Sequence, residues 1–274
     1  MIPTSRIYRL VKEWSQKPKR VIKEGFQANP DLHQVAQSEQ LKAWQRAQQA
    51  HYQAALNPKT QSIHYVIHQV SGFASDDQIR KITYEAILAC EYWHASAKPH
   101  HLILPIKTEQ ILQQDFQEFL QGKLLHCHLP LGHLGIGLTQ ATAEDQEGLL
   151  QQAIIQLRRL GILIYLFEFE GLPIQLKLLE TGCISAVQMI AAHWRDAPKN
   201  PERHSSLKEL ARIAKDYELP IICGGIDLIK DRDWAEQLNA DHVYGKIIKP
   251  AMTASQITRL FTIPSAHTSI VEKP

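Results

Sequence analysis

A histidine-rich segment holds the densest set of metal-ligating side chains in the sequence. His126, Cys127 and His128 are consecutive, and His133 follows shortly after them. Imidazole nitrogen and thiolate sulfur are ligands that Zn²⁺ prefers, so this set is compatible with a zinc site. A proline and a glycine interrupt the segment, however, and no second ligand pair of matching spacing accompanies it. The pattern therefore favours a surface loop between a helix and a strand.

Cys223 is a second side chain that could do chemistry. It stands at the end of a predicted strand, directly before Gly224 and Gly225, where barrel enzymes carry catalytic groups. A cysteine nucleophile needs a neighbouring base and an electropositive environment, which depend on the fold. The simpler expectation is a small buried thiol. The glycine pair predicts a tight turn, with close backbone approach to a phosphate as the alternative.

These residues lie among strands and helices that alternate from residue 61 onward. The predicted strands are apolar and rich in β-branched residues: 63–70, 101–106, 134–138, 161–169, 184–189, 220–223 and 242–248. Repeated strand–helix units of this kind favour a mainly parallel sheet covered by helices. Their number over this length favours an α/β fold of the TIM-like (β/α) barrel class rather than an open sheet. No GxGxxG motif follows the first strand, so a dinucleotide-binding fold is not supported.

Composition excludes several classes of protein. The chain has 274 residues, of which 44% are hydrophobic and 21% charged, with a formal net charge of +2. That apolar content excludes intrinsic disorder, and the small net charge gives no global signal for nucleic-acid binding. Four separated cysteines without a CxxC motif favour reduced thiols and a cytoplasmic location. The longest apolar run is too short to span a membrane, and the N-terminus lacks the apolar core of a secretory signal.

The charge is distributed unevenly along the chain. Residues 1–60 carry a net charge of +6, which leaves −4 for the remainder. We predict that residues 1–60 form a basic helical extension, with one helix from Ser38 to Leu56 that ends at Asn57-Pro58. Residues 263–274 are predicted to be a loose C-terminal tail.

The basic side chains of the extension admit two interpretations. One is a solvated helix face, and the other is a docking segment for an acidic partner. No aromatic pattern of a known nucleic-acid module accompanies them, so an unidentified protein partner is the better expectation. The basic side chains are Arg6, Arg9, Lys12, Lys17, Lys19, Arg20 and Lys23.

Six fragments, in this order and spacing, resemble the EAL domain, the (β/α) barrel of cyclic-di-GMP phosphodiesterases. The stretch RLGILIYLFEF stands where that family has RxLGVxIALDDFG, and IAKDYELPIICGGID stands where it has LAxxLGLxVVAEGVE. The fragments occupy residues 102–112, 136–140, 159–169, 176–190, 213–227 and 238–250. Residues 61–262 are therefore predicted to form a degenerate EAL-like barrel.

The resemblance implies a Mg²⁺ or Mn²⁺ site, because family members hold these ions with acidic side chains at the strand ends. Such hard cations need carboxylate and carbonyl oxygen, and a two-metal site activates water against a phosphodiester. Most of the corresponding positions here carry no carboxylate. The substitutions at ligand and catalytic positions are Pro105, Gly137, Phe167, Gln188, Ile190 and Gly224. No Asp or Glu lies between Glu39 and Asp76, so the acidic residue of the EAL signature has no counterpart.

We therefore expect the metal site to be lost and no residue to be catalytic. Polar side chains at the matching positions define a vestigial ligand pocket, in which Glu168 and Asp227 are the remaining carboxylates. The pocket residues are Lys107, Gln140, Glu168, Ser185, Gln188 and Asp227. The expected function is a non-catalytic regulatory protein of bacterial signalling that binds another protein. A receptor that binds cyclic-di-GMP without cleaving it is the alternative, followed by an active phosphodiesterase or an unrelated barrel enzyme.

One strand is missing from the prediction. The family has two strands before its first long helix, whereas the sequence shows one clear candidate, 63–70. The second is either hidden near residues 20–26 or lost. If it were lost, the barrel would be open on one side and could pair with a partner or with a second copy as a homodimer.

Overall fold

The structure is a computed structural model, which describes residues 42–43, 45–47, 49–70, 75–95, 101–127, 129–140, 147–195 and 197–262. The predicted basic side chains between Arg6 and Lys23, the strand candidate near residues 20–26 and the predicted C-terminal tail lie outside these residues. Among the described residues, no helix is both long and apolar enough to cross a membrane.

The described residues contain nine strands, which form a single sheet. They are β1 (His51–Leu56), β2 (Ile63–His68), β3 (His101–Lys107), β4 (Leu134–Thr139), β5 (Leu163–Leu166), β6 (Ile184–Ile190), β7 (Ile221–Gly224), β8 (His242–Val243) and β9 (Met252–Thr253). β2 to β8 follow one another in parallel pairs. β1 is antiparallel to both β2 and β8 and closes the ring, while β9 pairs with β1 outside it.

The helices cover the outer face of this ring. They are α1 (Asp76–Ala95), α2 (Thr108–Leu112), α3 (Gln114–Leu125), α4 (Glu147–Arg159), α5 (Pro173–Glu180), α6 (Pro201–Asp216), α7 (Ile229–Gln237) and α8 (Ala254–Thr262), with short 3₁₀ turns at Ala191–His193 and Ala197–Lys199. The predicted TIM-like (β/α) barrel is confirmed as an eight-stranded closed ring with one extra strand.

Two apolar clusters stabilise the barrel, because successive side chains of a strand point to opposite faces. The larger cluster lies between the outer face of the strands and the helices. The smaller cluster fills the interior of the ring, and its members come from most of the strands. These are Ala55, Ile67, Ile103, Tyr165, Phe167, Ala186, Ile222 and Tyr244.

The prediction of a helix from Ser38 to Leu56 is wrong over its last six residues. The described residues between 42 and 49 are helical, but His51–Leu56 is strand β1, which pairs with β2 from Tyr52–His68 to Leu56–Ile63. Its alanines and glutamine have weak strand propensity, so the local pattern favoured a helix. Burial of both faces of the strand within the barrel overrides that preference.

The same strand answers the question of the second strand, which was expected near residues 20–26 or lost, with an open barrel in the latter case. β1 is the second strand that precedes the first long helix, and the ring is closed. Within the part of the chain that the structure describes, the sheet therefore begins at His51, inside the segment that was predicted to be a helical extension. An open edge that would pair with a second copy is absent from the ring of strands that the structure describes.

Candidate functional site

The carboxyl ends of the parallel strands meet at one end of the barrel, which we call the mouth. Lys107 ends β3, Gln140 directly follows β4, Glu168 lies just after β5, and Asp227 follows β7. Gln188 lies in the last half of β6 and points into the ring. Five of the six predicted pocket residues are thus placed at the same end of the barrel.

Ser185 is the pocket residue that the structure does not bring to the mouth. It is the second residue of β6, five residues before the end of that strand at Ile190. At about 3.3 Å per residue, it lies about 16 Å from that end. Its hydroxyl accepts a hydrogen bond of 3.3 Å from Arg158 of α4. The predicted strand bounds already contained this signal, because they placed Ser185 next to the start of the strand.

An aromatic ring fills part of the mouth beside β4. Phe167 is buried, and a Cβ atom at Gly137 would lie only 2.8 Å from its ring atoms. Real Cβ atoms do not approach other heavy atoms so closely, so Gly137 has to be glycine while the Phe167 ring stays where it is. The resemblance implies carboxylates at both positions. Here an apolar ring uses the volume of the missing side chain at 137.

A second ring fills the mouth beside β7. A Cβ atom at Gly224 would lie 2.5 Å from the Tyr244 phenol. The Tyr244 hydroxyl accepts a hydrogen bond of 2.6 Å from Gln188, which is 2% exposed. Burial raises the pKa of Tyr244 to about 12, so this phenol stays neutral over the physiological range. Gln188 therefore stabilises a neutral aromatic ring.

Glu168 is held by its main chain. Its backbone N–H donates to Gln188 Oε1 at 2.9 Å, and its carbonyl accepts from Gln175 Nε2 at 3.0 Å. The residue has a φ of 55°, a left-handed conformation that is uncommon for a residue with a side chain. Its carboxylate is half-buried. Two buried glutamines thus fix the loop after β5 through its backbone.

Asp227 belongs to a charged network that no pattern in the sequence indicates. Its Oδ1 accepts from the backbone N–H of Lys246 at 3.0 Å, and its Oδ2 lies 4.0 Å from Arg195. Arg195 also donates to both oxygens of Asp231, at 3.1 and 3.0 Å, and to the carbonyl of Gly225 at 3.2 Å. A bidentate pair of this type fixes both position and orientation.

The buried member of this network is Asp231. It also accepts from the backbone N–H groups of Asp227 and Leu228, at 3.1 and 2.9 Å. Burial alone would raise the pKa of Asp231, but the hydrogen bonds from Arg195 and the two backbone groups outweigh it and lower that pKa. The available sequence signal was an aspartate in the first turn of α7. Its partner arginine is 36 residues away and could not be paired with it from sequence.

The residues at the mouth do not fit a pair of divalent cations. Mg²⁺ and Mn²⁺ need several oxygen ligands around each ion. Most of the positions that should supply them carry proline, glycine, phenylalanine or isoleucine, and Glu168 and Asp227 are the carboxylates that remain. Asp227 is engaged by Lys246 and approached by Arg195, and Asp231 is bound by Arg195. No group of three His, Cys, Asp or Glu side chains suited to a metal ion occurs within the described ranges.

The structure also places the two other candidate sites, the histidine-rich segment around Cys127 and the thiol of Cys223. Cys127 is half-buried and its thiol donates to the carbonyl of Leu124, while His128 lies outside the described residues. The ring of His133 contacts those of His94 and His101, at centroid distances of 5.2 and 5.9 Å. Cys223 is fully buried, and burial raises the pKa of its thiol, as expected for an inert core cysteine.

Comparisons with known proteins agree with this architecture. The sequence model of the EAL domain family matches residues 73–251 of this chain. Among solved structures, the EAL domain of Mycobacterium smegmatis DcpA superposes with a TM-score of 0.67 at 14% identity, over 78% of this chain and 97% of that one. The phosphodiesterase PaMucR, solved as a c-di-GMP complex, gives a TM-score of 0.65 at 16% identity, over 76% of this chain and 98% of that one.

A third relative was also solved with a nucleotide. The EAL domain of Xanthomonas citri FimX, in complex with c-diGMP, gives a TM-score of 0.62 at 12% identity, over 81% of this chain and 97% of that one. At these identities the structural matches establish the fold. No curated protein matches the chain in sequence.

Proposed function

We propose that this chain, which belongs to the EAL domain family of cyclic-di-GMP signalling proteins, is a regulatory member that binds another protein and does not hydrolyse the nucleotide. The observation that carries the proposal is the pairing of Phe167 with Gly137 at the mouth. Hydrolysis in this family depends on acidic side chains at these positions, and here an aromatic ring and a glycine occupy them jointly.

The substitutions at the mouth support loss of hydrolysis because they are mutually adapted. Gly224 is small where the Tyr244 ring passes, and Gln188 donates to that ring's hydroxyl. A single ligand lost by chance would leave a cavity or an unsatisfied polar group. Instead these residues form a packed and hydrogen-bonded arrangement, which is expected where the barrel is retained for its shape.

The basic residues between Arg6 and Lys23 support a protein partner. They concentrate positive charge in one short segment, whereas residues 61–274 carry a net charge of −4. Clustered lysines and arginines speed association with an acidic surface and favour it over a neutral one. We therefore propose an acidic protein surface as the partner of this segment.

Hydrolysis is tested on the full chain with cyclic-di-GMP in the presence of Mg²⁺ or Mn²⁺, with the linear product measured by chromatography. The expected result is no metal-dependent product. Glu168→Ala and Asp227→Ala serve as matched variants, since these are the remaining carboxylates at the predicted positions. Metal-dependent cleavage that disappears in either variant would overturn the proposal.

Binding without cleavage is the second candidate function. Lys107 at the end of β3 favours it, because a cation at the mouth suits a phosphate. Calorimetric titration with cyclic-di-GMP, with and without Mg²⁺, separates the candidates. Cyclic-di-GMP binding that weakens in Lys107→Gln would establish a receptor. If high micromolar nucleotide gives no binding heat, the receptor function is excluded and the protein-binding role is retained.

The protein-binding role has its own test. Once a partner is isolated, its affinity is measured against the full chain and against a variant in which the seven basic residues between Arg6 and Lys23 become glutamine. We expect weaker binding by the variant and a steep dependence on salt for the unmodified chain. Equal affinities of the two chains would contradict the role of this segment.

A further inference from the structure

The barrel ring is weakest where β8 meets β1. These two strands share a single residue pair, Leu56 with Val243, which we call the seam. β1 pairs with β2 from Tyr52 to Leu56, and most parallel neighbours also share several pairs. One side-chain bond adds to the seam, from Gln53 Nε2 to the carbonyl of Lys249 at 3.2 Å. Little backbone hydrogen bonding therefore holds this part of the ring.

Ring contacts reinforce the seam at the point where β1 ends. The His242 ring of β8 lies 5.0 Å from the His64 ring and 4.6 Å from the Tyr65 ring, both of β2. β8 and β2 are not neighbours in the sheet, so these side chains reach across the gap past Leu56. His242 is buried and its Nδ1 has no hydrogen-bond partner among the described residues, whereas His64 is exposed.

We propose that the seam is an acid-sensitive latch: protonation of His242 beside His64 pushes β8 away from β2 and opens the barrel at the Leu56–Val243 pair. A protonated His242 would be a buried cation with an unpaired N–H donor, which is unfavourable without a partner. Separation of the two strands returns the buried His242 ring to water.

The other titratable groups around His242 do not cancel this effect. Asp241 precedes His242 in the chain, and its Oδ2 already accepts from the backbone N–H of Ile221 at 2.8 Å. Tyr65 contacts the rings of His101 and Tyr165, and burial raises its pKa, so its phenol stays neutral. Burial and His64 together lower the pKa of His242 to about 4, although Asp241 acts in the opposite direction.

The expected size of the effect follows from the two states of His242. With the seam closed, the pKa of His242 is about 4, and with the seam open it should return to its ordinary value of about 6.5. Acid therefore favours the open seam. Between pH 7.5 and pH 5 the opening equilibrium should rise about 30-fold, and the rise should level off below about pH 4. Above about pH 6.5 the latch stays closed.

Hydrogen exchange of the backbone amides tests the latch on the full chain. Exchange is measured at pH 5 and pH 7.5 and corrected for the intrinsic rate at each pH. We expect the amides of Leu56 and Val243 to become less protected by about 30-fold at pH 5. Amides of β4 and β5, which lie across the barrel, should change less.

Three variants separate the latch from general acid unfolding. His242→Phe keeps an aromatic ring and removes the titration, so the pH effect at the seam should disappear. His64→Phe should reduce it, and this variant decides the question if His242→Phe does not fold. His68→Phe is the matched control, because His68 is a buried histidine away from the seam, and the seam should still open. Equal pH effects in wild type and His64→Phe, or equal loss of protection in β4 and β5, would overturn the latch.

Discussion

Replacement of Gly137 by alanine tests whether the aromatic ring at the mouth is rigidly packed. The new Cβ would lie 2.8, 2.8 and 2.9 Å from three atoms of the Phe167 ring. Ordinary carbon contacts begin near 3.5 Å, so the overlap exceeds about 0.5 Å at three atoms. The Phe167 ring is buried inside the barrel and has little room to move. Overpacking of this type costs about 1–3 kcal/mol.

An opposing effect comes from the unfolded chain. Alanine restricts the unfolded state more than glycine does, and this alone would stabilise the protein by about 0.4–1 kcal/mol. We therefore expect Gly137→Ala to lower the free energy of unfolding by about 1–2 kcal/mol. Urea unfolding followed by fluorescence or circular dichroism measures this change.

Two further variants control for general effects of alanine. Gly122→Ala places a Cβ on α3 with no atom within 4 Å, and it should stabilise the protein by about 0.5–1 kcal/mol. Phe167→Leu removes the ring, so Gly137→Ala in that background should cost clearly less. A neutral or stabilising Gly137→Ala, or a cost that stays the same when it is combined with Phe167→Leu, would refute the packing argument.

Three other changes test separate parts of the structure. Burial lowers the pKa of His68 to about 4, so the folded state binds fewer protons than the unfolded state. The free energy of unfolding should therefore fall by up to about 3 kcal/mol as the pH falls from about 6.5 to 4. Urea unfolding should show a weaker acid dependence in His68→Phe but not in the exposed-site control His51→Phe. Asp231→Asn removes the charged acceptor of four hydrogen bonds and should destabilise the protein by about 1–3 kcal/mol in the same assay. An unchanged free energy of unfolding would contradict a stabilising role of this network. Gly245→Ala would place a Cβ 2.2 Å from the backbone oxygen of Ile226, so we expect a loss above about 3 kcal/mol or failure to fold, and a native melting temperature would contradict this.

The mouth of the barrel shows why the identity of a residue and its role are separate questions. The sequence alone shows that acidic residues are missing at positions such as Gly137 and Phe167. Which side chains fill the space of the missing acidic groups depends on which residues lie next to each other in the fold. Gly224 and Tyr244 are separated by 19 intervening residues in the sequence, and only the parallel pairing of β7 with β8 brings them into contact.

The sequence by itself determined the alternating elements from residue 61 onward and the family resemblance. It could do so because the parallel strands of a barrel are buried on both faces, so they appear as apolar runs that need no partner to be recognised. The bounds predicted for β3, β4 and β6 differ from the observed ones by a single residue at most at either end. The scarcity of acidic side chains at the ligand positions was equally visible.

Only the tertiary structure decided which strand closes the ring and which polar residues share an end of it. β1 consists of residues that favour a helix locally, and its pairing with β2, β8 and β9 makes it a strand. The same pairing leaves the seam with one residue pair. Such features arise from contacts between residues far apart in the chain, and no local pattern contains them.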